Sequence, residues 1–289
     1  MAEPPKLLSG RVAVVTGAGE GIGKAIALAF ASHGAAVVVA EIRAETGKRT
    51  ASEIAASGGR ALAVPTDVRE PDAVAGAVRA AEREFGGLDV LVNNVGGTFA
   101  RPFLEIEERG WDAILRTNLK SVFHGTKLAA PAIAARGGGA ILNVVSIEGV
   151  RAAPAFAPYA ACKAAVINFT CTMAVELAPQ RIRVNALAPD VCATEGVLRQ
   201  VPEAALRRQA RRVPLGRIAE PAEIAGPAVF LASDLASYVT GVTLHVDGGT
   251  HAAGGWWRDD AGAWVLGPGP EPGGVPPDAA PVAKDRDRR

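Results

Sequence analysis

The chain contains 289 residues, enough to bury one large hydrophobic core or at most two smaller ones. Its 31 Lys and Arg against 30 Asp and Glu leave a net charge of +1, without the concentrated positive charge of nucleic-acid and anionic-membrane binders. The three cysteines show neither a disulfide framework nor metal-ligand spacing, and we find no signal-peptide pattern and no apolar run of ~18 residues, so we expect a cytoplasmic protein without metal, membrane or nucleic-acid partners.

Short β-branched runs alternate with longer segments of helical periodicity along the chain. The predicted elements, in chain order, are strand 12–15, helix 22–33, strand 36–40, helix 46–56, strand 61–65, helix 72–85, strand 90–93, helix 111–135, strand 141–145, helix 158–177, strand 184–188, helices 203–212 and 222–233, and strand 243–246, which closes the regular part. Seven strands alternating with helices indicate βαβ units and a parallel sheet covered on both faces. Right-handed crossovers then favour a doubly wound α/β fold.

A tail of different composition follows the domain 1–250. Pro and Gly supply 13 of the residues 251–289, and from about residue 268 onward the composition predicts irregular or disordered chain. Three of the four tryptophans, Trp256, Trp257 and Trp264, lie earlier in this tail, and such large aromatics seldom stay solvated. Either this segment folds back on its own domain, or it reaches a neighbouring subunit or covers a substrate pocket.

A glycine-rich loop, TGAGEGIG at 16–23, lies between the first strand and the first helix. Its glycines permit a tight turn and a close approach of the backbone to a pyrophosphate, which the helix N-terminus attracts. The strand–loop–helix context therefore predicts a dinucleotide site at Gly17, Gly21, Ile22 and Gly23.

The residues after the second strand bear on the choice between NAD and NADP. Glu41 stands 18 residues after Gly23, where a carboxylate can accept hydrogen bonds from the ribose hydroxyls and would repel a 2′-phosphate. Glu20 adds a second negative charge nearby, and only Arg43 argues for NADP. Two acids against one arginine favour NAD.

The third and fourth strands end in residues that should line the same crevice. Asp67 and Val68 follow the third strand, where an aspartate can reach the adenine amino group, and Asn94 and Gly96 follow the fourth. Open α/β sheets bind ligands along the carboxyl ends of their strands. We therefore expect these residues to contact the cofactor.

A second set of residues carries the chemistry of a proton transfer. Tyr159 and Lys163 stand four residues apart on one face of predicted helix 158–177. A free phenol has a pKa of about 10, and a neighbouring ammonium group together with an oxidised nicotinamide should lower it toward the working range. Ser146 ends the fifth strand 13 residues before Tyr159, able to hold the substrate oxygen, and Asn118 lies on the long preceding helix.

Taken together, these segments resemble the short-chain dehydrogenase/reductase family over about residues 8–250. The resemblance rests on TGAGEGIG, NNVG, Asn118, Ser146 with YAACK, RVNALAP, PLGR and VTGVTLHVDGG. It implies a Rossmann-like single domain in which Tyr159 donates and accepts the proton and Ser146 stabilises the oxygen. It further implies that Lys163 lowers the pKa of Tyr159 and binds the nicotinamide ribose, and that Tyr159 also contacts the cofactor. Asn118 is implied to hold a water of the proton relay.

The resemblance also assigns the segment after the sixth strand, and there the sequence departs from the family pattern. Pro189, Cys192 and Thr194 match the segment that holds the nicotinamide carboxamide, but Asp190 replaces the usual glycine. A second departure is Val95 in NNVG, where many relatives have alanine. Asp190 should stand near the substrate entrance.

Several functions stay open. The intact tetrad favours an active dehydrogenase over a cofactor-binding regulator without turnover. Among enzymes, an alcohol, diol or steroid dehydrogenase competes with a 3-oxoacyl-thioester reductase. The acid at Glu41 suits oxidation with NAD, and Glu148 and Asp190 would disfavour a strongly anionic substrate. Neither feature identifies the substrate beyond a small-molecule alcohol or ketone.

The family resemblance implies a homotetramer, built partly from the helices 111–135 and 158–177. On the second helix, Val166, Phe169 and Met173 recur at spacings of three and four, with Ile167 and Thr170 on an adjacent face. Since one face must serve the sheet, the other needs cover. Either a second subunit supplies it, or the tryptophan-bearing tail does so within one subunit.

Overall fold

A computed structural model describes residues 6–259 and 262–267. The strands of its main sheet are β1 Val12–Thr16, β2 Ala36–Glu41, β3 Arg60–Pro65, β4 Val90–Asn93, β5 Gly139–Val144, β6 Ile182–Pro189 and β7 Thr243–Val246. All seven run parallel, in the order β3-β2-β1-β4-β5-β6-β7. The α-helices are α1 Gly21–Ser32, α2 Ala44–Ala56, α3 Pro71–Phe85, α4 Glu108–Leu115, α5 Ser121–Ala135, α6 Ala157–Glu176, α7 Glu195–Gln200, α8 Glu203–Arg212, α9 Pro221–Ala232 and α10 Thr250–Ala253. The predicted doubly wound, Rossmann-like sheet is confirmed.

Two apolar layers, one on each face of the sheet, hold the fold together. Every residue of β1 and β2 is buried, as expected for parallel strands that helices cover on both faces. Because successive side chains of a strand point to opposite faces, Val37 and Val39 pack with α1 and α9, whereas Val38 packs with α3 and α5. This alternation fixes the register of the sheet and thereby the positions of the strand ends.

The strand order reverses at β1, which pairs with β2 on one side and with β4 on the other. The chain segments that follow β1 and β4 cross opposite faces of the sheet. A crevice therefore opens between these two strands at the carboxyl edge of the sheet. The glycine-rich loop lies at this edge, between β1 and α1. The topology therefore places the predicted cofactor residues along one crevice.

The predicted long helix 111–135 is interrupted. Residues Arg116–Lys120 form a π-helical turn between α4 and α5. The Asn118 side chain donates one hydrogen bond to the Ile114 carbonyl at 3.0 Å and another to the Gly97 carbonyl at 2.9 Å. The side chain competes with the backbone for a helical carbonyl, and π-turns of this kind recur at functional sites.

Regular structure continues past β7, so the prediction that the strand 243–246 closes it is wrong. After α10, β8 (Trp256–Arg258) and β9 (Trp264–Leu266) form an antiparallel hairpin that packs on α8. Trp257 is buried there with the Arg211 guanidinium 5.8 Å from its ring centre, whereas Trp256 and Trp264 remain 48% exposed. This part of the tail folds back on its own domain; the predicted irregular segment from residue 268 lies outside the described residues.

The apolar faces of α6 are used mostly within the subunit. Val166 and Thr170 are fully buried, and Phe169, Ile167 and Met173 are half-buried against the core. The sequence argument for a surplus apolar face is thereby weakened, because most of these side chains already have partners. Within the described chain, no helix is both long and apolar enough to span a membrane.

Candidate active site

Three of the predicted catalytic residues come together at the carboxyl end of β5. Ser146 lies just beyond β5, and Tyr159 and Lys163 lie on the first turns of α6. The Lys163 Nζ atom is 5.4 Å from the centre of the Tyr159 ring and donates a hydrogen bond to the Val144 carbonyl at 3.0 Å. The spacing of four residues on α6 sets the ammonium group beside the phenol, and packing of α6 against the sheet brings both to the end of β5.

Lys163 is only 3% exposed, and burial lowers the pKa of its ammonium group to about 8. A buried ammonium group is expensive to desolvate, and the Val144 carbonyl replaces only part of its lost hydration. Lys163 is therefore a cation that can lose its proton within the physiological range, a property typical of active-site lysines.

The pKa of Tyr159 is raised overall, the opposite of the direction expected from Lys163. Burial has the largest effect, a hydrogen bond with Ser146 lowers the pKa, and the negative charge of Glu148 raises it further. Without a cationic cofactor in place, the phenol therefore stays protonated at neutral pH. That is the form that can give a proton to a ketone.

Asn118 completes the group through the loop after β4. It is fully buried, and its Oδ1 accepts a hydrogen bond from the Gly97 N–H at 3.2 Å. A Cβ on Gly96 would lie 2.9 Å from Asn118 Oδ1 and 3.2 Å from Lys163 Nζ, so only glycine fits between them. The backbone of this loop therefore lies directly against both side chains.

A cleft of ≈ 520 Å³ runs along the carboxyl edge of the sheet and has the size of a cofactor site. The predicted cofactor residues that line it are Gly17, Gly21, Ile22, Glu41, Asp67, Val68, Asn94, Gly96 and Thr194. Gly23 lies behind the lining, where a Cβ would be 2.3 Å from the Gly17 carbonyl oxygen. The other predicted cofactor residues outside the lining are Tyr159, Lys163, Pro189 and Cys192. Burial raises the pKa of the Cys192 thiol to about 12.

Glu41 is fixed at the end of β2 as a buried acceptor. Its Oε2 accepts a hydrogen bond from the Gly19 N–H at 3.0 Å and its Oε1 accepts one from the Arg43 N–H at 3.1 Å. The Arg43 guanidinium lies 3.0 Å from Glu20 and 3.7 Å from Glu41. The charge of the one arginine that argued for NADP is therefore offset by the two acids.

Asp67 and Asn94 each have a local partner in the cleft. Asp67 pairs with Arg69, whose guanidinium holds the pKa of the Asp67 carboxyl below its ordinary value. The Asn94 side chain donates a hydrogen bond to the Thr16 carbonyl at 2.9 Å and so ties the loop after β4 to the end of β1. The positions of Asp67 and Asn94 are those expected for residues that line the adenine side and the glycine loop of a dinucleotide site.

A contact at the edge of the cleft, made by Glu195, was missed by the sequence reasoning. The Glu195 Oε2 atom accepts a hydrogen bond from the Gly21 N–H at 2.9 Å, at the N-terminus of α1. An ion pair of 2.9 Å between Arg199 and Glu20 reinforces this contact between α7 and the glycine loop. The sequence signal that could have found this contact was Thr194, which caps the start of α7 directly before Glu195. The Thr194 Oγ1 atom accepts a hydrogen bond from the Val197 N–H at 3.2 Å.

A second missed residue lies beside the catalytic candidates. The Arg151 Nη2 atom is 2.7 Å from Glu148 and 3.7 Å from Asp190, so one guanidinium joins the loop after β5 to the end of β6. Glu148 in turn donates its N–H to Ser146 Oγ at 3.2 Å. Among the described residues, no group of His, Cys, Asp and Glu is arranged to hold a metal.

Comparison with known proteins places the chain among oxidoreductases. The family model described as enoyl-(acyl carrier protein) reductase matches residues 17–251. The chain is 40% identical to the 3-oxoacyl-[acyl-carrier-protein] reductase FabG of Thermotoga maritima, over 84% of this chain and 98% of the relative. It is 38% identical to the 2,5-dichloro-2,5-cyclohexadiene-1,4-diol dehydrogenase LinX of Sphingobium indicum, over 84% and 96%.

Solved structures of dehydrogenases are also similar to this chain. A 7α-hydroxysteroid dehydrogenase in complex with NADH and 7-oxo glycochenodeoxycholic acid is 35% identical, with a TM-score of 0.81 over 86% of this chain and 98% of that one. A short-chain type dehydrogenase/reductase from Mycobacterium marinum is 38% identical, with a TM-score of 0.80 over 85% and 97%. The family domain ends near residue 251, so the β8–β9 hairpin lies beyond the matched region.

Proposed function

The chain belongs to the short-chain dehydrogenase/reductase family, and on that premise we propose that it is an NAD-dependent dehydrogenase that interconverts a secondary alcohol and its ketone. NAD would be held by the glycine loop, Glu41 and the polar strand ends, and when bound it supplies the hydride chemistry. The substrate is a small alcohol or ketone.

The proton is handled by the chain's own residues. Tyr159 takes the hydroxyl proton during oxidation and returns it during reduction, while Ser146 donates a hydrogen bond that holds the substrate oxygen against the phenol. Lys163 supplies positive charge beside the phenol, and together with the cationic nicotinamide it favours the phenolate. Asn118, held by the Gly97 backbone, keeps the loop under the cofactor in place and positions the relay water.

One observation carries the proposal: the buried Lys163 ammonium lies beside the Tyr159 ring at the sheet edge that also holds the glycine loop. A protein that only binds a cofactor does not require a tyrosine beside this lysine. Burying the ammonium group destabilises the fold, so the arrangement needs a functional reason. The geometry is therefore better explained by turnover than by a purely regulatory role.

Tyr159→Phe tests the mechanism because it removes only the phenolic hydroxyl. We expect the turnover number to fall about 10²-fold or more, the range of general acid–base catalysis, with little change in NAD affinity. Tyr238→Phe is the matched control, since Tyr238 is the chain's other tyrosine and is fully exposed. Substantial activity in Tyr159→Phe would contradict the assigned role.

A 3-oxoacyl-thioester reductase is the second candidate, favoured by the 40% identity to FabG. It would use a reduced cofactor and act on an acyl chain carried as a thioester. Screening secondary alcohols, diols, hydroxysteroids and 3-hydroxyacyl thioesters with NAD and NADP distinguishes the two candidates. The preferred substrate class decides between them.

The assembly and location expected from the sequence stay predictions. The homotetramer rests on the family resemblance, with α5 and α6 as its proposed interface. Phe123 on α5 and Val175 on α6 are exposed apolar side chains that a second subunit could cover. The cytoplasmic location rests on the features of the sequence.

A further inference from the structure

Glu148, Arg151 and Asp190 form a polar trio beside the catalytic candidates that the proposed proton transfer does not use. Arg151 lies 2.7 Å from the Glu148 carboxylate and 3.7 Å from the Asp190 carboxylate. The trio is adjacent to the reacting centre, because the Glu148 N–H binds Ser146 Oγ and the Glu148 charge acts on Tyr159. A substrate held by Ser146 and Tyr159 would therefore extend toward these three side chains.

The trio leaves hydrogen-bonding capacity unused. The Asp190 side chain is only 12% exposed, yet among the described residues no group donates a hydrogen bond to its carboxylate. Within the same part of the chain, Nη2 is the one guanidinium nitrogen of Arg151 that makes a hydrogen bond. Asp190 is largely sheltered from water, where a carboxylate without a donor is costly, whereas the Arg151 side chain is 37% exposed and its other nitrogens can reach a ligand. A ligand that supplies a donor for Asp190 and an acceptor for Arg151 is therefore favoured here.

We propose that the trio binds a second hydroxyl group of the substrate, so that this chain acts on uncharged vicinal diols and related polyols. A hydroxyl donates one hydrogen bond and accepts others, which matches a carboxylate oxygen and a guanidinium N–H side by side. The inference rests on the proposed dehydrogenase function and names the substrate class of that same site. Asp190, the residue at which the sequence departs from the family pattern, supplies the acceptor oxygen.

The charges of the trio disfavour other substrates. Glu148 and Asp190 place two negative charges around Arg151, and Asp247 adds a third within electrostatic range. A substrate carboxylate would meet this excess of negative charge, so an anionic substrate is disfavoured. An alkyl chain would leave the Asp190 carboxylate without a donor, which argues against a fatty acyl group at this position.

There is space for a longer polyol. Asp190 also lines a second cavity of ≈ 540 Å³ between the ends of β6 and β7. Its lining includes further polar side chains, among them His245 and Asp247. Hydroxyl groups beyond the vicinal pair would find additional partners there.

Matched substrates test the inference on the intact enzyme. Butane-2,3-diol and butan-2-ol differ by one hydroxyl, and kcat/KM for each is measured with saturating NAD at one pH. Because a hydrogen bond to a charged group contributes about 1.5–3 kcal/mol, we expect the diol to be preferred about 10- to 100-fold. Glu148→Gln and Asp190→Asn should each reduce this preference several-fold, whereas Glu84→Gln, on the exposed last turn of α3 at the opposite edge of the sheet, should leave it unchanged.

The substrate ratio separates this inference from the proposed function. Glu148→Gln also alters the pKa of Tyr159, but that effect acts on both substrates and cancels in the ratio. Turnover of neither alcohol with NAD or NADP, and of no other alcohol in the screen, would overturn the dehydrogenase function itself. Equal kcat/KM for the two alcohols, or a preference unchanged in both variants, would overturn the trio's role alone. Preference for 1-aminopropan-2-ol or 3-hydroxybutanoate over the diol would also overturn it, in favour of a charged substrate.

Discussion

Replacing Glu41 with glutamine tests which group sets the choice between NAD and NADP. Glu41 has two functions in the structure: its carboxylate faces the cofactor cleft, and it accepts the Gly19 N–H at 3.0 Å. Glutamine keeps an acceptor oxygen for Gly19 and removes the negative charge. Glu41→Ala would remove both the acceptor oxygen and the negative charge. It would therefore destabilise the glycine loop as well as relieve the repulsion of the 2′-phosphate.

The magnitude follows from the charges around the cleft. Two unit charges 4 Å apart interact by about 1 kcal/mol in water and about 4 kcal/mol near a protein surface, and a 2′-phosphate carries nearly two charges. Arg43, at 3.7 Å from Glu41, offsets part of this repulsion, so the lower end applies. A repulsion of about 1.4 kcal/mol or more corresponds to at least tenfold tighter binding of NAD than of NADP.

Isothermal titration of both oxidised cofactors measures the effect. In Glu41→Gln the affinity ratio should fall toward one, mainly because NADP binds more tightly. Arg43→Gln is the matched control, and it should widen the ratio because Arg43 is the one cation among the described residues that pairs with Glu41. Equal affinities in the natural protein would refute the reasoning and show that Arg43 dominates. An unchanged ratio in Glu41→Gln would refute it by showing that the Glu41 charge does not set the preference.

Three further predictions concern the catalytic pH dependence, the glycine loop and the tail. Because the Glu148 charge raises the pKa of Tyr159, Glu148→Gln should lower that pKa and move the acidic limb of the kcat/KM profile for alcohol oxidation to lower pH; a shift to higher pH would contradict this. Glu195→Gln should tighten NAD binding about fivefold in a titration, because a neutral acceptor competes less well than a carboxylate for the Gly21 N–H, where the pyrophosphate is expected; weaker binding would contradict it. Light scattering should find a tetramer both for the full chain and for a version ending at Thr250, since the hairpin packs on α8; a full-length monomer would refute the assembly, and a truncated tetramer with unchanged kinetics would make the tail dispensable.

Much of the site follows from the sequence because a parallel sheet gathers its strand ends. Once the strands were recognised from their apolar runs, Glu41, Asp67, Asn94 and Ser146 had to lie along one edge. The pairing of Tyr159 with Lys163 was equally accessible, since it follows from the periodicity of one helix. Their mutual placement in the structure agrees with these expectations.

Contacts between distant segments could not be predicted from the sequence in this way. The π-helical turn at Asn118 depends on Gly97, 21 residues away, and the contact of Glu195 with Gly21 spans 174 residues. The direction of the Tyr159 pKa shift likewise depends on burial and on Glu148 rather than on Lys163. None of these effects has a signature in the residues next to it.

By itself, the sequence determined the order and type of the main elements, because hydrophobic periodicity is a property of neighbouring residues. It also determined which loops meet at the carboxyl edge, since right-handed crossovers leave few topologies. The tertiary structure alone decided that Arg151 lies between Glu148 and Asp190, that Glu195 reaches the glycine loop, and that Trp257 packs on α8. Each of these contacts forms because helix packing brings together segments that are far apart in the chain. No local sequence pattern encodes such a contact.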